Sequence, residues 1–287
     1  MSNWYRRKST HYLLPPKPHY QDLPSGLYEM GVSPSGMLWV KEQIMRQGEI
    51  VDLLGGPGYD LIEDIKRFQG QAEEYQKLGF PHRRGYLLHG PPGTGKTTMM
   101  LQVAKHFIAQ NSLAIMVSNP RGIISAMEKL REVDNRLVLL LIEDLDNMLN
   151  YQEAEFLQLT DGLTDASSQT VLIATTNYLE RIPDRVSKRP GRIDRRFKVL
   201  GLALPQREYL LDRWGVSQSG IEQLGPATDG YTVAMLKELV IQIMINRIPP
   251  GEALQGLSRL LADEDEEDEN EKEEVQVKTA TKSTRDL

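Results

Sequence analysis

The chain has 287 residues, 26% of them charged and none of them cysteine. That leaves room for one large domain and a small one, and excludes disulfides and thiolate metal centres. The net charge of −6 is unevenly spread: residues 263–274, DEDEEDENEKEE, hold ten acids and one lysine, so everything else is net +3. No apolar run reaches the roughly 18–20 residues that cross a bilayer, and MSNWYRRKST has no apolar core behind its basic residues. A soluble, cytoplasmic protein without membrane contact is expected.

In chain order, residues 1–36 carry PPKP, LPSG and SPSG among scattered aromatics and are expected to form an extended arm, not a packed unit. Its mix of basic and aromatic residues leaves contact with nucleic acid possible. Residues 37–54 read as strand-like or mixed. Ile62, Ile65 and Phe68 are spaced for a helix within residues 60–79. GYLLH (85–89), LAIMVS (113–118), LVLLLIED (137–144), VLIATTN (171–177) and FKVLGL (197–202) then alternate with helical segments. Such aliphatic runs indicate a parallel sheet covered on both faces: an α/β domain over 37–203 with five parallel strands. Residues 204–261 read as about four helices, a small helical lid, with Thr232 a candidate N-cap for the third. Residues 262–287 are too charged to bury apolar area and are expected to be disordered.

The strongest site signal is GPPGTGKT at 90–97, which fits G-x-x-x-x-G-K-[ST] between a strand and a helix. The following helix puts Met100, Val103, Ala104, Phe107 and Ile108 on one face. Gly93 and Gly95 let the backbone curl so that N–H groups face phosphate oxygens, and the helix terminus adds partial positive charge. The cradle thus comprises Gly90, Pro91, Pro92, Gly93, Thr94, Gly95, Lys96, Thr97 and Thr98. Lys96, expected to face solvent, would reach the β- and γ-phosphates of ATP, and the Thr97 hydroxyl would ligate Mg²⁺. LLLIEDLD (139–146) ends a strand in Glu143 and Asp144. Asn177 ends another strand, and RPGRIDRR (189–196) packs four arginines around a Pro-Gly turn.

GPPGTGKTT, LIEDLD, ATTN, KRPGRIDRRF and DGYTVAMLKELV, in this order and spacing, resemble the AAA clade of the AAA+ ATPases over roughly residues 50–248. The resemblance implies a three-layer phosphate-loop domain with a helical lid and ATP hydrolysis. It also implies a homo-oligomeric ring, usually hexameric, with a heptamer also open. Asn177 matches sensor 1, which orients the attacking water. Arg189 and Arg192 match the arginine fingers, which reach the γ-phosphate held by the next subunit. Glu143 falls where the family's Asp holds Mg²⁺ through water, and Asp144 where its Glu polarises the attacking water. GFPHRRGYLLHGPPGTGKT and the Glu-Asp order look like the mitochondrial translocase subgroup that moves folded Rieske iron–sulfur protein. That subgroup has a transmembrane helix and a middle domain before its ATPase. Here a short arm stands instead, so a small soluble relative is expected and the mitochondrial role is not.

Three functions remain open on the sequence: remodelling or translocation of a macromolecule, a slow-turnover assembly switch, and DNA remodelling or loading. The stretch SNPRGIISAMEKLREVDNR lacks the aromatic that threading members carry, which argues against threading an unfolded chain through a pore. His82 and His89 are expected to be structural or at the surface, and Trp4, Trp39 and Trp214 to be packing residues. Asp146 is either a family acid or a helix cap. Val51–Leu54 are candidates for an adenine pocket.

Overall fold

The computed structural model describes residues 4–7, 10–13, 23–44, 57–162, 169–189 and 191–257. The proposed adenine pocket at 51–54 and the acidic 262–287 segment lie outside them.

The strands are β1 (Trp4–Arg7), β2 (Thr10–Leu13), β3 (Gly26–Val32), β4 (Leu38–Gln43), β5 (Arg83–His89), β6 (Leu113–Met116), β7 (Val138–Ile142), β8 (Thr170–Thr176) and β9 (Arg195–Lys198). They form one sheet in the order β1-β2-β4-β3-β6-β7-β8-β5-β9. The five aliphatic runs of the sequence are β5 to β9, and all pair in parallel.

The sheet exceeds the five strands expected. β3 adds a sixth parallel strand against β6, and β4, β2 and β1 extend the sheet antiparallel. Residues 23–36 therefore do not form a free arm: Leu23, Leu27, Tyr28 and Met30 are buried. The physical reason is alternation. Leu27 joins the core on one face of the sheet, and Tyr28 and Met30 join the core on the other. A glycine within β3 has a packing role. Gly31 lies opposite Trp39, and a Cβ there would sit 2.9 Å from the indole.

The helices of the first unit are α1 (Pro57–Gly70), α2 (Ala72–Leu78), α3 (Lys96–Ile108), α4 (Pro120–Arg131), α5 (Leu145–Gly162) and the short α6 (Asp184–Ser187). Helices α1 and α3 cover one face with Leu61, Ile65, Phe68, Met100, Val103, Ala104 and Phe107, packed on Leu139, Leu141 and Ile173. Helices α4 and α5 cover the other with Ile123, Met127, Leu130, Phe156 and Leu159, packed on Leu140, Ile142 and Leu172. Burial on both faces is why β7 is aliphatic at every position.

Met1–Leu200 and Gly201–Leu287 are two compact units. The second holds α7 (Leu204–Arg213), α8 (Gln218–Ala227), α9 (Val233–Val240), a π-turn over Ile241–Ile245 and α10 (residues 250–257). Leu210, Leu211, Ile221, Leu224, Leu236, Leu239 and Ala253 are buried in it. Thr232 caps α9, its hydroxyl accepting from Met235 N at 3.3 Å. The buried Arg207 donates to Leu202 O and Gly225 O and pairs with Asp229 at 3.1 Å.

Candidate functional site

Three neighbouring parallel strands, β7, β8 and β5, deliver the sequence-predicted residues. Being parallel, all three present their C-terminal ends on the same side of the sheet. The phosphate-loop residues 90–95 leave β5, Glu143 and Asp144 leave β7, and Asn177 follows β8.

The loop is shaped by backbone that only glycine adopts easily. Gly95 (φ 89°) sits at the N-cap of α3, and its carbonyl accepts from Met99 N at 2.8 Å. Gly90 (φ 153°) lies so close to the end of β9 that a Cβ would meet Val199 O at 1.9 Å. Pro91, Pro92, Gly93 and Thr97 are exposed, Gly90, Gly95 and Thr98 half-buried, and Thr94 buried.

Lys96 departs from expectation. It is 6% exposed, and its ammonium donates to Gly90 O and Pro91 O, each at 2.7 Å. Thr94 Oγ1 lies 3.4 Å from it and donates to Pro91 O at 2.9 Å. The loop curls tightly enough for its own carbonyls to satisfy the lysine, which is why the side chain does not face solvent. Burial pushes its pKa down to about 8, against the upward pull of Asp144 and Asp146.

Glu143 and Asp144 are both exposed and lie beyond the last residue of β7, so strand alternation does not orient them. Asp144 has φ 45°, in the left-handed region, and this turns the chain from β7 into α5 within two residues. Its N–H donates to Thr175 Oγ1 at 3.2 Å, and its carbonyl accepts from Met148 N at 3.1 Å. Asp146 is 4% exposed and accepts from Thr176 Oγ1 at 2.6 Å. It ties α5 to β8 through its side chain. Thr176 Oγ1 also accepts from Tyr178 N at 3.1 Å, which bounds the half-buried Asn177 on both sides.

The two matched arginines part company. Arg189 is exposed, whereas Arg192 is 5% exposed and bound within the chain. Arg192 holds Asp161 with Nε to Oδ1 at 3.1 Å and Nη2 to Oδ2 at 2.8 Å, and donates to Arg185 O. That hydrogen bond and the positive charges of Arg192, Arg189 and Arg83 hold the Asp161 carboxyl below its usual range. A guanidinium satisfied by this fork does not project from the surface, contrary to the expectation for Arg192.

Sequence reasoning missed Asp161, Asp194, Thr175 and Thr176. Asp194 accepts from Gly191 N at 2.9 Å and Gly85 N at 2.8 Å, and its own N–H donates to Gly85 O at 2.8 Å. It staples the chain at Gly191 to β5, where a Cβ on Gly85 would meet Arg192 O at 1.8 Å.

His82 is buried, stacked on Phe68 with ring centroids 4.0 Å apart, and its Nε2 lies 2.7 Å from Phe68 O. His89, at the end of β5, is held below its ordinary pKa by burial and then by Arg196, Lys198 and Lys96. Among the described residues, no group of three or more His, Cys, Asp or Glu could hold a metal.

Residues 86–200 match the family described as "ATPase family associated with various cellular activities (AAA)". The chain is 31% identical over 163 residues to the mitochondrial chaperone BCS1 of Danio rerio, covering 50% of this chain and 38% of that one. It is 28% identical over 211 residues to the probable mitochondrial chaperone bcs1 of Schizosaccharomyces pombe, covering 68% and 45%. The chain thus spans less than half the length of the curated relatives it matches. The structure resembles the crystal structure of the FIGL-1 AAA domain in complex with ADP, with a TM-score of 0.52, 18% identity, and coverage of 76% of this chain and 86% of that one. No described helix is long and apolar enough to cross a membrane. The expectation of a cytoplasmic protein is corrected by the relatives, which are mitochondrial chaperones. With the phosphate loop, the two acids and Asn177 on adjacent strand ends, the chain carries a domain of the AAA ATPase family, homologous to that of the BCS1 proteins.

Proposed function

We propose that this chain works as a homo-oligomeric ATPase ring, hexameric or heptameric, that remodels or moves a macromolecular partner. The observation that carries this reading is the convergence of residues 90–97, Glu143, Asp144 and Asn177 at the ends of β5, β7 and β8.

The named residues take these roles. The amides of the loop and the N-terminus of α3 receive the phosphates of ATP. Lys96 exchanges its two loop carbonyls for phosphate oxygens. Mg²⁺ needs only one or two protein oxygens beside phosphates and water, so the exposed Thr97 hydroxyl, with the Glu143 carboxylate acting through water, suffices without a metal cage. Asp144 polarises the attacking water, Asn177 orients it, and Arg189 reaches the γ-phosphate of the neighbouring subunit. The names of the BCS1 relatives support a chaperone-type task over a DNA-directed one. The region after β6 contains no aromatic, and most of it is helix α4, which supports action without threading an unfolded chain.

Asp144→Asn tests the reading. The variant should bind ATP with Mg²⁺, stay assembled and lose hydrolysis, while Glu143→Gln should mainly weaken Mg²⁺-dependent binding. Normal turnover by both variants in a coupled ATPase assay would refute the assignment.

A further inference from the structure

The turn that carries Asp144 is gripped from both faces of the sheet by one pair of adjacent threonines. On β8, Val171 and Ile173 belong to the core under α1 and α3, and Leu172 and Ala174 to the core under α4 and α5. By alternation Thr175 points to the α3 side and Thr176 to the α5 side. Both are buried, at 1% and 0% exposure. Thr175 Oγ1 accepts the N–H of Asp144 at 3.2 Å, and Thr176 Oγ1 donates to Asp146 Oδ1 at 2.6 Å. The next residue is Asn177. The two residues proposed to act on water, Asp144 and Asn177, thus meet at the same strand end.

We infer that Thr175 is a positioning residue for hydrolysis, acting through the backbone of Asp144, and that the left-handed turn it holds is why the short acid stands second in Glu143-Asp144. The inference rests on the proposed role of Asp144. Residue 144 must reverse a strand into a helix at φ 45°, a conformation that a short polar side chain such as Asp tolerates far better than a longer one. In this geometry the carboxylate is placed by the backbone turn, not by side-chain length. Thr175 supplies the acceptor that keeps the Asp144 N–H satisfied in that turn. Without the hydroxyl, the Asp144 φ relaxes towards the right-handed region and the carboxylate leaves its aim, while the phosphate loop on β5 is untouched.

The experiment compares Thr175→Val and Thr175→Ser in the full chain, with ATP turnover and binding of a fluorescent ATP analogue measured side by side. Thr175→Val should lower kcat at least tenfold with KM for ATP and analogue affinity changed less than twofold, and Thr175→Ser should recover most of the loss. A second comparison does not depend on Thr175→Val folding: the exchanged pair Glu143→Asp with Asp144→Glu should hydrolyse ATP at least tenfold more slowly than wild type. Wild-type turnover in Thr175→Val, failure of Ser to outperform Val, or full activity in the exchanged pair would each overturn the inference. Undiminished turnover in Asp144→Asn would instead remove the role of Asp144 itself, so the two failures are distinguishable.

Discussion

At the level of single residues, Lys96 and Arg192 show how burial changes the meaning of a motif match. Both are the residue types that their motifs require, but both are satisfied inside the chain. For Lys96 this makes binding pH-dependent. Its ammonium is depressed to about 8, and phosphate oxygens replacing the loop carbonyls would raise it again. Binding therefore takes up a proton near pH 8 and above and takes up none well below it, and affinity falls as pH rises through 8. Calorimetry of ATP binding in buffers of different ionisation enthalpy should show this uptake at pH 8.5, and should show little at pH 6.5. For Arg192 the fork to Asp161 implies a structural cost. Arg192→Ala should lose about 1–3 kcal/mol of stability, seen as a lower melting temperature, whereas the exposed Arg189→Ala should melt like wild type. Turnover separates them in the opposite sense: Arg189→Ala should fall about 10³-fold if it serves a neighbour's phosphate. None of this was legible from RPGRIDRR, because spacing along the chain does not reveal a carboxylate 31 residues earlier, at Asp161.

Among elements, β5 to β9 could be read from the sequence because sandwiching between helices demands unbroken aliphatic runs. Strand β4 falls in the stretch read as strand-like or mixed, but β3 could not be read, because GLYEMGV lies between the turn-like LPSG and SPSG. Gly31 is small because Trp39 crosses it, and Tyr28 is 1% exposed with its hydroxyl donating to Pro24 O at 2.8 Å. If β3 is part of the core, Tyr28→Ala should cost about 3–5 kcal/mol and Tyr28→Phe about 1 kcal/mol in denaturant unfolding. A peripheral arm would show neither loss. The acids after β7 were found at the right place but given the wrong local conformation. The aliphatic run does not announce that the strand stops at Ile142, one residue before Glu143.

For the whole molecule, the proposed ring makes a prediction that no single chain can meet. Mixing Lys96→Ala chains with Arg189→Ala chains should restore part of the lost turnover, since some interfaces would again contain an intact phosphate loop facing an intact Arg189. Recovery at no mixing ratio would argue against a shared site. The topology also has a kinetic consequence. β5, which leads into the phosphate loop, has both its partners much later in the chain: Arg83 pairs with Thr170, and Tyr86 with Arg195. Gly90 packs on the carbonyl of Val199. Sheets closed by such distant segments fold slowly. During synthesis the strand that begins the nucleotide cradle must wait for more than half of the domain to emerge before it gains either neighbour. Competence to bind ATP should therefore be among the last properties acquired in refolding, appearing with the slowest phase, and a chain truncated before β9 should display the full GPPGTGKT sequence yet bind no nucleotide.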